Sequence, residues 1–144
     1  MILLKYSMLK TINPRSGCPI SSSLDIFGDK WSLLIVRNLM FYDLHTYGDF
    51  LKMPEKIATN ILADRLTMLE SGGLISKGGH PDSKAKVYYK LTQKGIDLLP
   101  LMVEISLWGD KYFEDLPPMA AEMIRQMKKD KAGFIKFWMA RLAN

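Results

Sequence analysis

At Gly72-Gly73 the apolar residues of this chain change their period, and that change restricts the fold more than any other feature of the sequence. Before it, between Ile57 and Ser71, Leu62, Leu66 and Leu69 recur three or four residues apart, which on an α-helix puts them on one side. After it, Leu74-Ile75-Ser76-Lys77 and Val87-Tyr88-Tyr89-Lys90-Leu91 carry the β-branched and aromatic residues that suit strands, with Gly78 to Ala85 as the loop between them. The pattern predicts a helix stopped by glycine and followed by a long-looped β-hairpin.

The segments on either side are helical. Cys18-Pro19 opens a helix to about Phe27, because proline at the first helical position has its φ already fixed and no N–H to leave unpaired. Gly28-Asp29 breaks it, and the spacing of Trp31, Leu34, Ile35 and Leu39 predicts a second helix from about Lys30 to Met40. Thr46 can cap a short third helix carrying Tyr47, Phe50 and Leu51, which Met53-Pro54 ends. Downstream, Thr92 can cap a long helix reaching Phe113, apolar nearly all round and kinked at Pro100. Leu116-Pro117-Pro118 is a hinge before a last amphipathic helix, Met119 to Leu142, interrupted near Gly133. One face of that helix carries Met123, Met127, Phe134, Phe137 and Trp138.

Composition excludes several classes. A chain of 144 residues with 48% hydrophobic and 24% charged residues fits one globular domain with a real core and is not disordered. The longest apolar stretch, Leu98 to Leu107, contains Pro100, Glu104 and Ser106 and falls short of the roughly 20 residues of a membrane span. Met1 to Lys10 lacks the order of a signal peptide, so the cytoplasm is the expected compartment. A single cysteine, Cys18, forbids an intramolecular disulfide, and with only two histidines no zinc site or other metal centre is expected. His45 and His80 lie far apart without nucleophile or ligand partners, and the Gly-Gly pairs lack the Gly-Lys-Ser/Thr of a phosphate loop. No catalytic residue and no cofactor follow from this, and the chain does not read as an enzyme.

Charge adds a direction. The net charge is +5, which permits a polyanionic partner, and it is unevenly distributed. Residues 77–94 hold Lys77, Lys84, Lys86, Lys90 and Lys94 against Asp82, a net +4, whereas 95–118 is net −4. A second basic block, Arg125, Lys128, Lys129, Lys131, Lys136 and Arg141 against Glu122 and Asp130, is also net +4. Helix, short turn, helix and basic hairpin, in that order, make a winged helix-turn-helix: an α+β fold, mostly helical, with the hairpin as its wing. On this reading 1–116 form the DNA-binding domain, and 117–144 a helical extension that belongs to the same unit or to a dimer interface.

Several stretches resemble one family. Cys18-Pro19-Ile20, Leu24, Phe27-Gly28-Asp29-Lys30-Trp31, the run from Leu62 to Glu70, Gly73-Leu74-Ile75 and Tyr89-Lys90-Leu91-Thr92-Gln93-Lys94-Gly95 are similar to the HxlR winged-helix regulators, relatives of MarR. The likeness covers about residues 17–110. It implies a homodimeric bacterial transcription factor that binds inverted repeats in double-stranded DNA and sometimes senses electrophiles or oxidants through the cysteine before its first core helix. The chain departs from the usual pattern at Ala58, Thr67 and Tyr88, and its extension beyond Phe113 is longer than the family core needs.

The candidate residues follow. On the helix before the hairpin, Thr59, Asn60, Ala63, Asp64 and Thr67 point away from the leucines, and their short polar groups suit base edges, with Asn matched to adenine. Arg65 sits within the apolar arc, either as a paired structural arginine or as a phosphate ligand. Lys77, His80, Lys84 and Lys86 on the wing, and Lys52 and Lys56 in the turn before the helix, are candidate phosphate contacts. Cys18 occupies a helix N-cap, where the positive helix end favours a thiolate, and is the candidate redox sensor. Leu99, Met102, Val103, Leu107 and Trp108 are the candidate dimer contacts, helped by the first and last segments. The sequence leaves room for a small-molecule effector of unstated chemistry. Two rivals remain: a protein–protein interaction module that keeps the winged fold but has lost DNA binding, and a membrane-surface protein using the basic, aromatic C-terminal helix.

Overall fold

The computed structural model describes residues 14–144, so the readings placed on 1–10, as a non-signal sequence and as part of a dimer contact, lie outside the described residues. The chain divides into two compact units, the first ending at Gly95 and the second spanning Ile96–Asn144.

In the first unit α1 (Pro19–Phe27), α2 (Ser32–Phe41), α3 (Tyr47–Leu51) and α4 (Thr59–Ser71) precede an antiparallel hairpin of β1 (Ile75–His80) and β2 (Ser83–Leu91). Ile35, Val36, Leu39 and Met40 of α2, Phe50 of α3 and Leu62, Leu66 and Leu69 of α4 are buried, with Leu74 and Ile75 closing the core where the hairpin begins. Two glycines are required by close approach. A Cβ on Gly28 would lie 2.4 Å from the Leu24 carbonyl oxygen, and one on Gly95 would lie 2.2 Å from that of Leu74. Gly73, with φ 77°, takes the left-handed position just past the end of α4. The Lys94 ammonium closes the same helix end by donating to the Gly72 carbonyl at 2.7 Å, and the Thr92 hydroxyl donates to that of Gly73 at 2.5 Å.

The hairpin is tighter than the sequence suggests. Gly78 and Gly79 pair with Tyr88 and Val87 inside the ladder, a bulge follows between Gly79 and His80, and His80 pairs with Ser83. The connection therefore shrinks from Gly78–Ala85 to Pro81-Asp82, with the Asp82 N–H donating to His80 Nδ1 at 3.0 Å. Those glycines mark strand, not loop, because the Pro-Asp turn beyond them reverses the chain. Helix α4 also begins two residues later than its apolar pattern, since Lys56 has φ 59° and ends the preceding turn in a left-handed conformation.

A short α5 (Gln93–Ile96) joins the first unit to the second, which contains α6 (Leu99–Tyr112), α7 (Pro118–Lys129) and α8 (Lys131–Ala143). The expected continuous helix from Thr92 to Phe113 is thus two helices. Pro100 has no N–H and its ring would collide with the carbonyl four residues back, so it starts a helix instead of kinking one. The last helix breaks at Asp130, three residues before Gly133, because the Asp130 carboxylate caps α8 by accepting from the Gly133 N–H at 2.9 Å. Within this unit Lys128 pairs with Asp110, and Lys131 with Glu104 at 2.7 Å. Ile124, Met127 and Phe134 are buried. No described helix is long and apolar enough to cross a membrane.

Candidate nucleic-acid interface

Helix α4 is held by its predecessors. The Thr46 hydroxyl accepts from the Asp49 N–H while the Asp49 carboxylate accepts from the Thr46 N–H, a reciprocal cap that fixes the start of α3. From α3 the Tyr47 hydroxyl donates to the Thr59 carbonyl oxygen at 2.9 Å, in the first turn of α4. The intervening turn is clamped by Arg37 of α2, whose guanidinium forks onto Glu55 at 2.7 and 2.9 Å. Lys52 and Lys56 stand exposed on this turn.

With α4 so placed, Thr59, Asn60, Ala63, Asp64 and Thr67 are all exposed, opposite the buried leucines. The Thr67 hydroxyl donates back to the Ala63 carbonyl at 3.0 Å, which commits its one hydrogen within the helix. Arg65 is the exception on this helix. Its side chain is only 21% exposed, and its Nη2 and Nε both reach Asp64 Oδ2, at 2.5 and 3.2 Å. Its Nη1 lies 3.4 Å from Asp29 Oδ1.

Asp29 ties α4 to α2. Its carboxylate accepts from the N–H groups of Trp31 and Ser32, both at 2.9 Å, and from the Ser32 hydroxyl at 2.5 Å. Burial opposes ionisation of this carboxyl. The Ser32 hydroxyl, the two N–H groups and the Arg65 charge outweigh burial and hold it below the usual carboxylate range. The hydrogen bond with Asp64, against burial, raises the pKa of the Arg65 guanidinium. Asp29, Lys30, Trp31, Asn60, Ile61, Asp64 and Arg65 line an open cleft of about 490 Å³ beside the exposed face of α4.

The wing carries its cations in two places. Lys84 and Lys86 are exposed in the part of β2 between Ser83 and Val87 that the bulge leaves unpaired, whereas Lys77 pairs with Tyr89. Lys77 therefore joins Ala63 and Thr67 of α4 in lining a groove of about 230 Å³. On the Tyr88 side three rings form a row: His45 stacks on Tyr88 at 4.4 Å, and His80 meets Tyr88 edge-on at 5.4 Å. His45 Nδ1 lies 2.7 Å from the Tyr89 carbonyl oxygen, the Tyr89 N–H donates to the His45 carbonyl at 2.8 Å, and His45 Nε2 lies 2.6 Å from Asp43 Oδ1. His45 thus anchors the base of the wing. No sequence signal marks this, because its partners on the wing, Tyr88 and Tyr89, lie more than forty positions away.

Cys18 is the N-cap residue of α1 and is exposed, and its side chain makes no capping bond. Of the candidate dimer residues, Leu99, Met102 and Val103 are buried in the single chain and Leu107 is half-buried, while Trp108 is 61% exposed. Ile105, Tyr112 and Phe113 add exposed apolar surface to the same segment. In the C-terminal basic block, Arg125 pairs with Glu122, Lys128 with Asp110 and Lys131 with Glu104, and Arg141 lies over the Trp138 ring. No group of three or more potential metal ligands occurs among the described residues.

Residues 26–117 match the family model described as HxlR-like helix-turn-helix. The chain is 31% identical over 105 residues, 73% of its own length and 81% of the relative's, to the uncharacterized HTH-type transcriptional regulator YdeP of Bacillus subtilis strain 168. Among solved structures it is similar to PA1607, a candidate transcription factor, with 40% identity, a TM-score of 0.64 and coverage of 70% of this chain and 69% of that one. It is similar too to the oxidized form of the redox regulator HypR, with 25% identity, a TM-score of 0.60 and coverage of 68% and 100%.

Proposed function

Because the chain belongs to the HxlR-like helix-turn-helix family, and is thus a transcriptional regulator and not an enzyme, we propose that it binds an inverted-repeat operator in double-stranded DNA as a homodimer in the bacterial cytoplasm. The observation that carries this reading is that α4 presents a continuous polar edge beside a lysine-edged hairpin within one compact unit. Asn60, with Thr59, Ala63, Asp64 and Thr67, would enter the major groove, where base edges are distinguishable. Lys84, Lys86, Lys77 and His80 on the wing, with Lys52 and Lys56 before α4, would contact phosphates and position the helix. Arg65 leaves that set, since two carboxylates already hold it.

The self-association would use the exposed apolar surface of α6, with Trp108 its largest element; Leu99, Met102 and Val103 would support that surface from beneath. Cys18 would serve as an oxidant sensor, a role supported by its exposure and by the likeness to a regulator described as redox-responsive. With one cysteine in the sequence, any disulfide would join two subunits or capture a small thiol.

A second reading has one observation in its favour. With Arg65 locked, the outward face of α4 offers no uncommitted cation, as a winged module that binds protein instead of DNA would be expected to look. Selection of genomic fragments on the purified protein at low salt separates the two. The regulator reading expects an enriched two-fold site with half-sites about ten base pairs apart, and an affinity changed by a thiol oxidant in wild type but not in Cys18→Ser. No enriched site would leave the interaction module as the better account.

A further inference from the structure

Asp64 is an anomaly on a surface meant for a polyanion. A carboxylate on the groove-facing side of a helix is repelled by every phosphate, so it weakens binding unless a donor on the DNA compensates it. The geometry shows how Asp64 is kept in place. Both Arg65 nitrogens that reach it bond Oδ2, and Oδ1 has no partner among the described residues. Arg65 cannot swing out with it, because its other end is directed at Asp29, itself fixed by Trp31 and Ser32 at the start of α2. The Asp64 side chain is 62% exposed and lies one helical turn beyond Asn60 on the same face. The result is a carboxylate oxygen pre-positioned beside Asn60 with its acceptor capacity directed outward.

Only two groups in the major groove donate hydrogen bonds, the N4 amino group of cytosine and the N6 amino group of adenine. Adenine sets its amino group beside the N7 acceptor, which repels a carboxylate, whereas cytosine has a C–H in that place. Resting on the DNA-binding reading above, we propose that Asp64 reads a cytosine in each half-site, next to the base met by Asn60, and that Arg65 is the positioning residue that aims it. The electrostatic cost of the carboxylate then becomes discrimination: sequences without cytosine at that pair meet an uncompensated negative charge.

The test is selection from a random duplex library with wild type, Asp64→Asn and Arg65→Gln, followed by affinities for the wild-type site and for an unrelated duplex. Wild type should require a C·G pair at one position per half-site. Asp64→Asn should lose that preference or exchange it for adenine, leaving the other positions intact. Its affinity for the wild-type site should fall by about five-fold or more, while its affinity for unrelated duplex holds or rises as a negative charge is removed. Arg65→Gln should relax the same single position. The inference is overturned by an Asp64→Asn selection identical to wild type, or by a rise in affinity for cognate and unrelated duplex alike. A wild type that selects no sequence fails one step earlier and takes the DNA reading down with it. A loss of preference spread evenly over the site in both variants would show that the pair only supports the helix, and would also overturn it.

Discussion

Asp29 shows what a single residue contributes that periodicity does not record. Helical spacing alone placed Leu62, Leu66 and Leu69 inward and Asn60, Ala63 and Asp64 outward, as observed. It left Arg65 open between two roles, because the partner that decides the matter lies thirty-six positions earlier in sequence. The same separation hid the pairing of His45 with Tyr88 and Tyr89. Asp29 gives a measurable consequence. Its carboxyl has a depressed pKa in the folded state, so its contribution to stability is present above the unfolded value, about 4, and is lost as the pH falls through the folded one. Asp29→Asn should therefore lower Tm at pH 7, with the gap to wild type closing toward pH 3 in a series of thermal melts. A gap that does not change with pH would remove the linkage.

Elements were legible where one local signal acts alone. Pro19 starts α1, Thr46 with Asp49 starts α3, and Gly72-Gly73 ends α4, each as the residue chemistry predicts. They were misread where two signals compete. Gly78-Gly79 suggests a turn, but Pro81-Asp82 is the stronger one. Pro100 within an apolar run suggests a kink, although the run restarts there. Gly133 suggests a break, but it is small because the Asp130 carboxylate needs the space; a Cβ there would lie 2.1 Å from Oδ2. A double-mutant cycle tests that coupling. Asp130→Ala should cost about 1 kcal/mol as the cap is lost. Gly133→Ala should be near neutral with Asp130 present, where it trades the cap for helix propensity, and should stabilise by about 1 kcal/mol once Asp130→Ala has been made. Equal effects of Gly133→Ala in both backgrounds, read from thermal unfolding, would separate the two residues.

At the level of the whole molecule, the order of helix, turn, helix and basic hairpin pointed to the fold, while the family was carried by particular stretches, Cys18-Pro19 with Gly28-Asp29-Lys30-Trp31 above all. The surface proposed for self-association was not legible, because a helix apolar nearly all round gives no orientation: Leu99 and Val103 are buried while Trp108 is exposed. The basic C-terminal block is also reinterpreted, because Lys128 and Lys131 are engaged by acids of α6 and Arg125 by Glu122. Lys129 and Lys136 stay exposed in that block, but in the first unit, beside α4, positive charge is available on the wing, where Lys84 and Lys86 are exposed. The central claim, that this wing and α4 together grip DNA, is tested most directly by titrating a selected duplex over a range of salt with wild type and with Lys84→Glu/Lys86→Glu. The claim predicts that wild-type affinity falls steeply with salt and that the double variant binds more weakly, with a slope of log affinity against log salt shallower by about two. Equal slopes and equal affinities for the two proteins would contradict it.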